Sequence, residues 1–336
     1  MAKERIHWID IAKGIAILCV FIGHTVSTPS QISSFIYFFH MPAFFFISGY
    51  CFSNRRKYGA FIINKLKTVV LPIFTLGLPG TVIIGLILQF IKGEAVDWKW
   101  TFLTPFVQYG EHSLLWYLAA LFVALNVFYG LTKLFKDKLL PLVIASLVLG
   151  LASFCFIEFV GTKLPWSVDT ALVALPFIAA GYYIKKSEIT EKFNRVTVLL
   201  ISFVICAVAG VLNTEFFEGT EMHTNTYGNI FLFYISATAG CIMVMSASML
   251  IKKSKVLEYC GRNSLIFYAL EPIQYFANFS LKTLGLNEIE NFAISIFITV
   301  ITVVLIAVLS SIAAVIINKL LPFLIGKKYE IKGELQ

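Results

Sequence analysis

The sequence predicts an all-α fold, a polytopic membrane bundle of about ten transmembrane helices. Hydrophobic residues make up 58% of the 336 residues and charged residues 14%, whereas about 25% charged residues is usual for soluble domains. Several apolar windows have the length of about 20 residues that an α-helix needs to cross a bilayer. Because backbone in lipid must satisfy its own hydrogen bonds, we expect these windows to be helical.

The apolar windows follow one another without a long linker, a low-complexity tract or a second soluble region. Residues 1–336 are therefore expected to form a single integral membrane domain. The predicted spans are 8–27, 32–52, 69–91, 113–132, 139–158, 169–184, 196–213, 229–251, 264–281 and 292–318.

The distribution of basic residues predicts that both chain termini are cytoplasmic. With the N-terminus inside, the outer loops contain few of the 27 Lys and Arg residues, namely Lys92, Lys99, Lys163 and Lys282. This bias satisfies the positive-inside rule. It also accounts for the net charge of +8, so we expect no nucleic-acid partner. All six cysteines fall in spans or on the inner side, which predicts no external disulfide framework.

The first predicted span has three ionisable residues, Asp10, Lys13 and His24, in an otherwise apolar segment. A charge at membrane depth costs at least ~2.5–3.5 kcal/mol, so such residues usually face the protein interior and serve a function. Lys13 and His24 are three helical turns apart, which is roughly 16 Å along one helix face. We expect Lys13 near the inner surface and His24 in the outer half of the bilayer.

His40 lies in the outer half of the second predicted span, which a short loop joins to the first. Antiparallel helices with so short a connection are expected to pack together, which would bring His40 near His24. A histidine in a dry cavity stays neutral, which suits a general base or a nucleophile near pH 7. The alternative is that each histidine only hydrogen-bonds between helices; we favour a catalytic role for both.

Placing the polar residues by depth separates them into two clusters. The outer cluster contains His24, His40, Glu158, Asp169 and the Glu111–His112 pair that leads into Trp116. The inner cluster is mostly cationic and contains Asp10, Lys13, Ser48, Arg55, Arg56, Lys65, Lys67, Arg262, Asn263 and Ser264. Residues 262–264 open a predicted helix, whose free N–H groups favour an anion. A phosphorylated ligand from the cytoplasm would suit the inner cluster.

The histidines lack carboxylate or histidine partners at metal-ligand spacing along a single helix. We therefore predict no metal.

Several motifs resemble the acyltransferase family 3 integral membrane proteins, in the branch described as fucose 4-O-acetylase-like. The resemblance covers the whole chain. Its most specific parts are Ile9-Asp10-Ile-Ala-Lys13-Gly14 followed by Gly23-His24, and Phe38-Phe39-His40-Met41-Pro42 with Ser48-Gly49. Supporting motifs are Lys65-Leu-Lys67, Leu115-Trp116-Tyr117 and Gly261-Arg262-Asn263-Ser264.

The resemblance implies a membrane O-acetyltransferase that moves an acetyl or other acyl group from cytoplasmic acetyl-CoA to a sugar hydroxyl. The expected acceptor is a cell-surface polysaccharide or its lipid-linked precursor, at a bacterial-type plasma membrane. His24 would act as the base or be acylated transiently, and His40 would assist. The acyl-CoA would be held by the basic and polar residues of the inner cluster, Lys13, Arg55, Arg56, Lys65, Lys67, Arg262, Asn263 and Ser264.

The chain departs from the family pattern at two positions. Many relatives have arginine where Lys13 stands, and lysine keeps the charge without the bidentate geometry. Many also have a histidine where this chain has Glu271-Pro272. Glu271 lies mid-span, so we expect it to pair with a cation or to handle a proton.

Two other functions fit a polytopic chain with buried charges. A transporter or exporter of a glycan or small molecule is the first, although the Lys13/His24 pattern does not recur in the second half of the sequence. The second is a scaffold whose buried charges only join helices, in which case His24→Ala would destabilise the fold.

Overall fold

The computed structural model describes residues 6–108, 115–187 and 194–327. Within these residues the regular secondary structure is helical and there is no strand, only an isolated bridge between Glu221 and Thr226. The predicted all-α membrane bundle is confirmed. The helices are α1 (His7–His24), α2 (Ser30–Tyr37), α3 (His40–Cys51), α4 (Tyr58–Lys65), α5 (Leu78–Leu86), α6 (Trp98–Val107), α7 (Trp116–Leu134), α8 (Leu139–Val160), α9 (Val168–Val173), α10 (Leu175–Ser187), α11 (Arg195–Phe216), α12 (Ile230–Ile251), α13 (Lys255–Arg262), α14 (Ser264–Ala269), α15 (Glu271–Thr283) and α16 (Phe292–Leu320).

In the described residues, eight helical segments are long and apolar enough to cross a membrane. A ninth candidate is the pair Pro165–Val173 and Leu175–Ser187, which is bent by 53°. The eight are α1, Ser30–Cys51, Tyr58–Ile91, α7, α8, α11, α12 and α16. These nine correspond to nine of the ten predicted spans, while the side on which each terminus lies stays a prediction.

The predicted span 264–281 is not one continuous helix, which corrects the sequence prediction. The chain leaves helical geometry at Leu270 (φ −89°, ψ 34°), between α14 and α15. Pro272 explains the break, because it lacks the N–H that would bond the carbonyl of Tyr268 and disfavours helical geometry at the residue before it.

The second span is also interrupted, immediately before His40. Phe39 has φ −142° and ψ −19°, which ends α2 and starts α3. Pro42 contributes here in the same way, since it cannot donate to the carbonyl of Phe38. The break places His40 at the first position of a new helix.

Helix α1 lies at the centre of the bundle, where it packs against α2, α3, α12, α13, α14 and α16. Glycines set its distance to α13: a Cβ on Gly14 would overlap the Leu257 carbonyl, and one on Gly261 would overlap the Asp10 carbonyl. Small residues at such crossings allow helix backbones to approach closely. This contact determines where Lys13 lies relative to the start of α14.

Candidate active site

Two cavities lie along α1, one at its His24 end and one beside Lys13, and we name them the outer and the inner cavity after the predicted orientation. The outer cavity has a volume of about 180 Å³, and the inner cavity has a volume of about 220 Å³. The polar residues and the Tyr, Trp and His side chains that line the outer cavity are His24, Tyr37, His40, Trp116, Glu221, His223, Tyr268, Glu271, Gln274, Tyr275 and Asn278, and its apolar lining includes Phe21 and Phe267. The inner cavity is lined by Lys13, Ser48, Thr68, Tyr117 and Ser264 among others. Met41 and Tyr268 line both cavities and form the wall between them.

His24 is the last residue of α1, and its side chain is exposed to the outer cavity. Its Nδ1 lies 3.1 Å from the hydroxyl of Tyr37, the last residue of α2. This hydrogen bond can hold the imidazole ring in one orientation. When Nδ1 donates to the Tyr37 oxygen, Nε2 keeps its lone pair and can accept a proton.

His40 lies beside His24, and the two ring centroids are 6.2 Å apart at an interplanar angle of 82°. The predicted proximity of the two histidines is thus present. Unlike His24, His40 is buried, with 3% of its surface exposed. Its Nδ1 lies 2.9 Å from the Ile36 carbonyl, which only accepts, so the proton of the neutral ring is on Nδ1.

Helix α15 brings amide side chains to the end of α1. The Asn278 amide donates to the His24 carbonyl at 2.7 Å, and its oxygen accepts from the Val26 N–H at 3.1 Å. One turn earlier, Gln274 Nε2 donates to Thr25 Oγ1 at 3.0 Å. These bonds hold the chain at His24 and at the two residues that follow it.

Glu271 begins α15 and lines the outer cavity. It is three residues before Gln274 and seven before Asn278, so all three lie on one helix face. The predicted cation partner is not seen, since within the described residues no hydrogen bond or ion pair involves the Glu271 side chain. Its carboxyl group therefore faces the cavity without a partner among the described residues.

The outer wall of the cavity comes from the connection between α11 and α12. Glu221 and His223 line the cavity from this connection, and Trp116 stacks on His223 with a centroid distance of 5.5 Å and an interplanar angle of 12°. The connection is held by Asp169, which is buried and accepts from Asn225 Nδ2 at 2.7 Å. Asp169 thus positions the outer wall without lining the cavity. Glu158, also predicted in the outer cluster, is exposed on α8 and does not line the cavity. The predicted Glu111–His112 pair lies outside the described residues.

In the inner cluster, Lys13, Ser48 and Ser264 come together around the inner cavity. Lys65 is partly buried and lies within electrostatic range of Lys13 and Arg56. The lining of the inner cavity does not include the other residues predicted to hold a donor: Arg55, Arg56, Lys67 and Arg262 are exposed.

Asn263 and Asp10 are buried at the crossing of α1, α13 and α16. The Asn263 amide donates to the Tyr259 carbonyl at 2.9 Å, and its oxygen accepts from Asn318 at 2.8 Å. Both ends of the Asn263 amide are therefore used within the bundle. A helix does begin at Ser264, as predicted, but α13 ends only two residues before it.

Sequence reasoning missed Tyr37, Glu221, His223, Gln274 and Asn278. A signal existed for Tyr37, which precedes His40 by one helical turn, and for the amides, which recur at helical spacing after Glu271. Glu221 and His223 lie within the connection between α11 and α12, where no helical spacing or motif marked them as site residues. In the described residues, no group of three or more His, Cys, Asp or Glu side chains has the arrangement of a metal site.

Comparison with known proteins identifies the family. Residues 6–311 match the acyltransferase domain of acyltransferase family 3. No curated protein and no solved structure matches the chain. The match covers most of the sequence, including every residue that lines the two cavities. The chain therefore belongs to acyltransferase family 3 and is a multi-pass membrane acyltransferase.

Proposed function

We propose that this protein is an O-acetyltransferase of the cell envelope that transfers acetyl from cytoplasmic acetyl-CoA to a sugar hydroxyl. The acceptor is a surface polysaccharide or its lipid-linked precursor at the plasma membrane. One observation carries the proposal: Lys13 and His24 lie on the same helix but line different cavities, with Met41 and Tyr268 between them.

The inner cavity suits the donor. Lys13 would pair with a phosphate of CoA, and the exposed Arg55, Arg56 and Arg262 would attract the nucleotide part toward it. Lys65 and Lys67 extend the same positive region. The pantetheine arm is about long enough to pass the wall and bring the thioester to the outer cavity. The assignment to the fucose 4-O-acetylase-like branch belongs to this proposal.

The outer cavity suits the acceptor hydroxyl. His24 Nε2 removes the hydroxyl proton while the sugar oxygen attacks the thioester carbonyl. The C–S bond then breaks, the CoA thiolate takes a proton from the imidazolium, and an O-acetyl ester and free CoA result. Tyr37 keeps the His24 ring in the required orientation, and His40 supports it from the buried side.

The same geometry serves a second route in which His24 is acylated first and then passes the acetyl group to the sugar. Incubation with radiolabelled acetyl-CoA without acceptor separates the two routes. Acid-labile label on the wild type, missing from His24→Ala, indicates the acyl-histidine route; direct transfer leaves the protein unlabelled.

The test of the proposal is to reconstitute wild type and His24→Ala into liposomes and to measure base-labile acetyl esters on an added envelope glycan fraction. His7→Ala is the matched control, because His7 is also on α1 but lies at its other end, outside the cavities. We expect the rate of ester formation to fall at least about a hundredfold in His24→Ala and to stay at the wild-type level in His7→Ala. Equal ester formation by His24→Ala and wild type would overturn the proposal.

A control separates the proposal from the alternatives. Vesicles that contain the wild type but no acyl-CoA should neither take up nor flip the glycan. A transporter would do so without acyl-CoA. His24→Ala should keep the wild-type thermal midpoint, whereas a scaffold role predicts that it unfolds at lower temperature.

A further inference from the structure

We propose that a groove beside the outer cavity is a second saccharide subsite, so that the acceptor is a glycan with at least two linked rings. The reacting ring lies in the outer cavity, and the neighbouring ring lies in the groove. The proposal rests on the proposed function, since it names the form of the acceptor used at that site. It also places glycosyl transfer before acetylation, because the linked rings must exist when the acetyl group is added.

The groove adjoins the outer cavity. It has a volume of about 440 Å³ and shares Tyr37 and Glu221 with the cavity. Gly23 lines the groove and the next residue, His24, lines the cavity, so the two spaces meet at the end of α1. One wall of the groove comes from α2, and the other comes from the end of α11 and the connection that follows it. Linked rings can therefore extend from the groove toward His24.

The volumes indicate that the outer cavity is only part of the acceptor site. Ligand sites in proteins usually have volumes of ~300–1,000 Å³, whereas the outer cavity has about 180 Å³. The same cavity would also admit the acetyl group that is transferred. The cavity and the groove together fall within the usual range. The space at this end of α1 thus fits one ring in the cavity and a further ring outside it.

The lining of the groove is rich in hydroxyl groups. They belong to Ser33, Ser34, Thr214, Thr220 and Thr226. A different groove, between α1 and α16, has a volume of about 830 Å³ and is lined mainly by aliphatic side chains. A lipid chain forms no hydrogen bonds and would suit such an aliphatic surface. The hydroxyl-lined groove instead suits a ligand that makes many hydrogen bonds.

The α2 wall offers both a donor and an acceptor. The Ser33 hydroxyl donates to the Ser30 carbonyl at 3.1 Å, so its lone pairs remain for a ligand. Within the described residues the Ser34 hydroxyl makes no hydrogen bond, so it can donate to a ligand. On the opposite wall, the Thr214 hydroxyl donates to the Gly210 carbonyl at 3.1 Å and therefore accepts from a ligand.

The connection after α11 adds a donor and a further acceptor. The buried Asn213 amide donates to Thr220 Oγ1 at 3.2 Å, so the Thr220 hydroxyl keeps its proton for a ligand. The same amide donates to the Tyr227 carbonyl at 2.9 Å, which holds the connection in place. Glu218 is exposed and adds the acceptor oxygens of its carboxyl group. Both walls therefore present donors and acceptors, which matches sugar hydroxyls because each of them both donates and accepts.

The groove does not suit a nucleotide sugar. Its lining within the described residues includes no Lys or Arg, the side chains that usually hold phosphate groups. Glu218 and Glu221 place carboxyl groups there instead. The phosphates of a nucleotide-activated monosaccharide would find no cation in the groove, whereas a glycan ring needs none. The lining thus favours an acceptor whose rings have already been linked.

The experiment compares acceptor fragments of different length. The envelope glycan fraction is partially hydrolysed and separated into single sugars, two-ring fragments and longer fragments. Their binding to the full-length protein in lipid nanodiscs is measured by calorimetry, without acetyl-CoA. We expect fragments of two or more rings to bind at least about tenfold more tightly than single sugars, because the second ring gains hydrogen bonds in the groove.

Two variants fill the groove from opposite walls, Ser34→Phe and Thr214→Phe. Each should reduce the ratio of the two affinities to about threefold or less, because the added ring clashes with the second sugar. Thr283→Phe is the matched control and should keep the wild-type ratio. Like Thr214, Thr283 is exposed near the end of a helix and donates to the carbonyl four residues before it, but it lines neither the cavity nor the groove.

The proposal is overturned if single sugars bind as tightly as longer fragments, if no fragment binds, or if both groove variants keep the wild-type ratio. Because the two variants alter the groove independently, one that does not fold leaves the other as the test. If longer fragments bind more tightly but His24→Ala still forms acetyl esters, the proposed function fails and the second subsite stands. If His24→Ala loses ester formation but fragment length has no effect, the proposed function stands and the second subsite fails.

Discussion

The Tyr37 hydroxyl lies 3.1 Å from Nδ1 of His24, across the short connection between α1 and α2. Tyr37 also lies within electrostatic range of Glu221. A base in an open cavity needs a partner that fixes its ring, and no residue of α1 supplies one. Tyr37 gives His24 this orientation from the neighbouring helix.

Removing the Tyr37 hydroxyl tests this relationship. Tyr37→Phe keeps the ring that packs against His40 but removes the bond to His24. Because misorientation of a catalytic group affects turnover more than binding, we expect kcat to fall about tenfold to hundredfold with the KM for acetyl-CoA unchanged. Steady-state kinetics in liposomes measures both.

Tyr58→Phe is the control for this change, since the Tyr58 hydroxyl bonds to Asn126 away from the cavities. It should leave kcat unchanged. A rise in KM without a fall in kcat for Tyr37→Phe would contradict the orienting role.

Lys13 is expected to act on the donor alone. Lys13→Gln removes the cation that lines the inner cavity. The KM for acetyl-CoA should rise at least about tenfold, because one charge-assisted hydrogen bond to the donor is lost. Lys13→Arg keeps the charge and should stay within about threefold of wild type. Lys252→Gln, an exposed cation outside the cavities, is the control. An unchanged KM in Lys13→Gln would exclude Lys13 from donor binding.

The wall between the cavities is expected to limit passage of the pantetheine arm. Met41 is buried and lines both cavities, and a rigid ring at this position would narrow the route. Met41→Phe should lower the acetyl-transfer rate at least about tenfold, at a cost in stability of about 1–3 kcal/mol for overpacking. Binding of the acceptor glycan fraction should persist, which calorimetry would show. Full transfer activity would mean that the donor reaches His24 by another route.

The crossing of α1 and α13 should be sensitive to a single methyl group. Gly261→Ala places its Cβ against the Asp10 carbonyl, so the helices must separate, and we expect destabilisation of about 1–3 kcal/mol. Gly130→Ala on α7 meets no atom within 4 Å and should be neutral or slightly stabilising. Thermal unfolding in one detergent compares them. Equal midpoints would show that the crossing tolerates the extra volume.

Much of the site could be predicted where it depends on one helix or on two consecutive ones. The spacing of Lys13 and His24 along α1 follows from helix geometry, and the short loop brought His40 beside His24 as expected. The roles of Arg55 and Arg262 in donor binding stay predictions, because both side chains are exposed outside the inner cavity.

The break at Leu270 shows why hydropathy alone was insufficient. The window 264–281 is apolar enough to suggest one span, but Pro272 divides it and places Glu271, Gln274 and Asn278 on a separate helix beside the end of α1. Hydropathy averages over a window and is insensitive to one missing N–H. The partners of His24 and Thr25 therefore came from a segment predicted to be lipid-spanning throughout.

The sequence by itself determined the class of fold and the helix on which the chemistry is arranged, because span length, helical period and buried charge are local properties of the chain. Only the tertiary structure decided that Lys13 and His24 face separate cavities and that Tyr37, Gln274 and Asn278 surround the end of α1. The physical reason is that these contacts join residues up to about 250 positions apart. Gly14 and Gly261 allow α1 and α13 to approach closely, but no local pattern of the sequence indicates which helices meet.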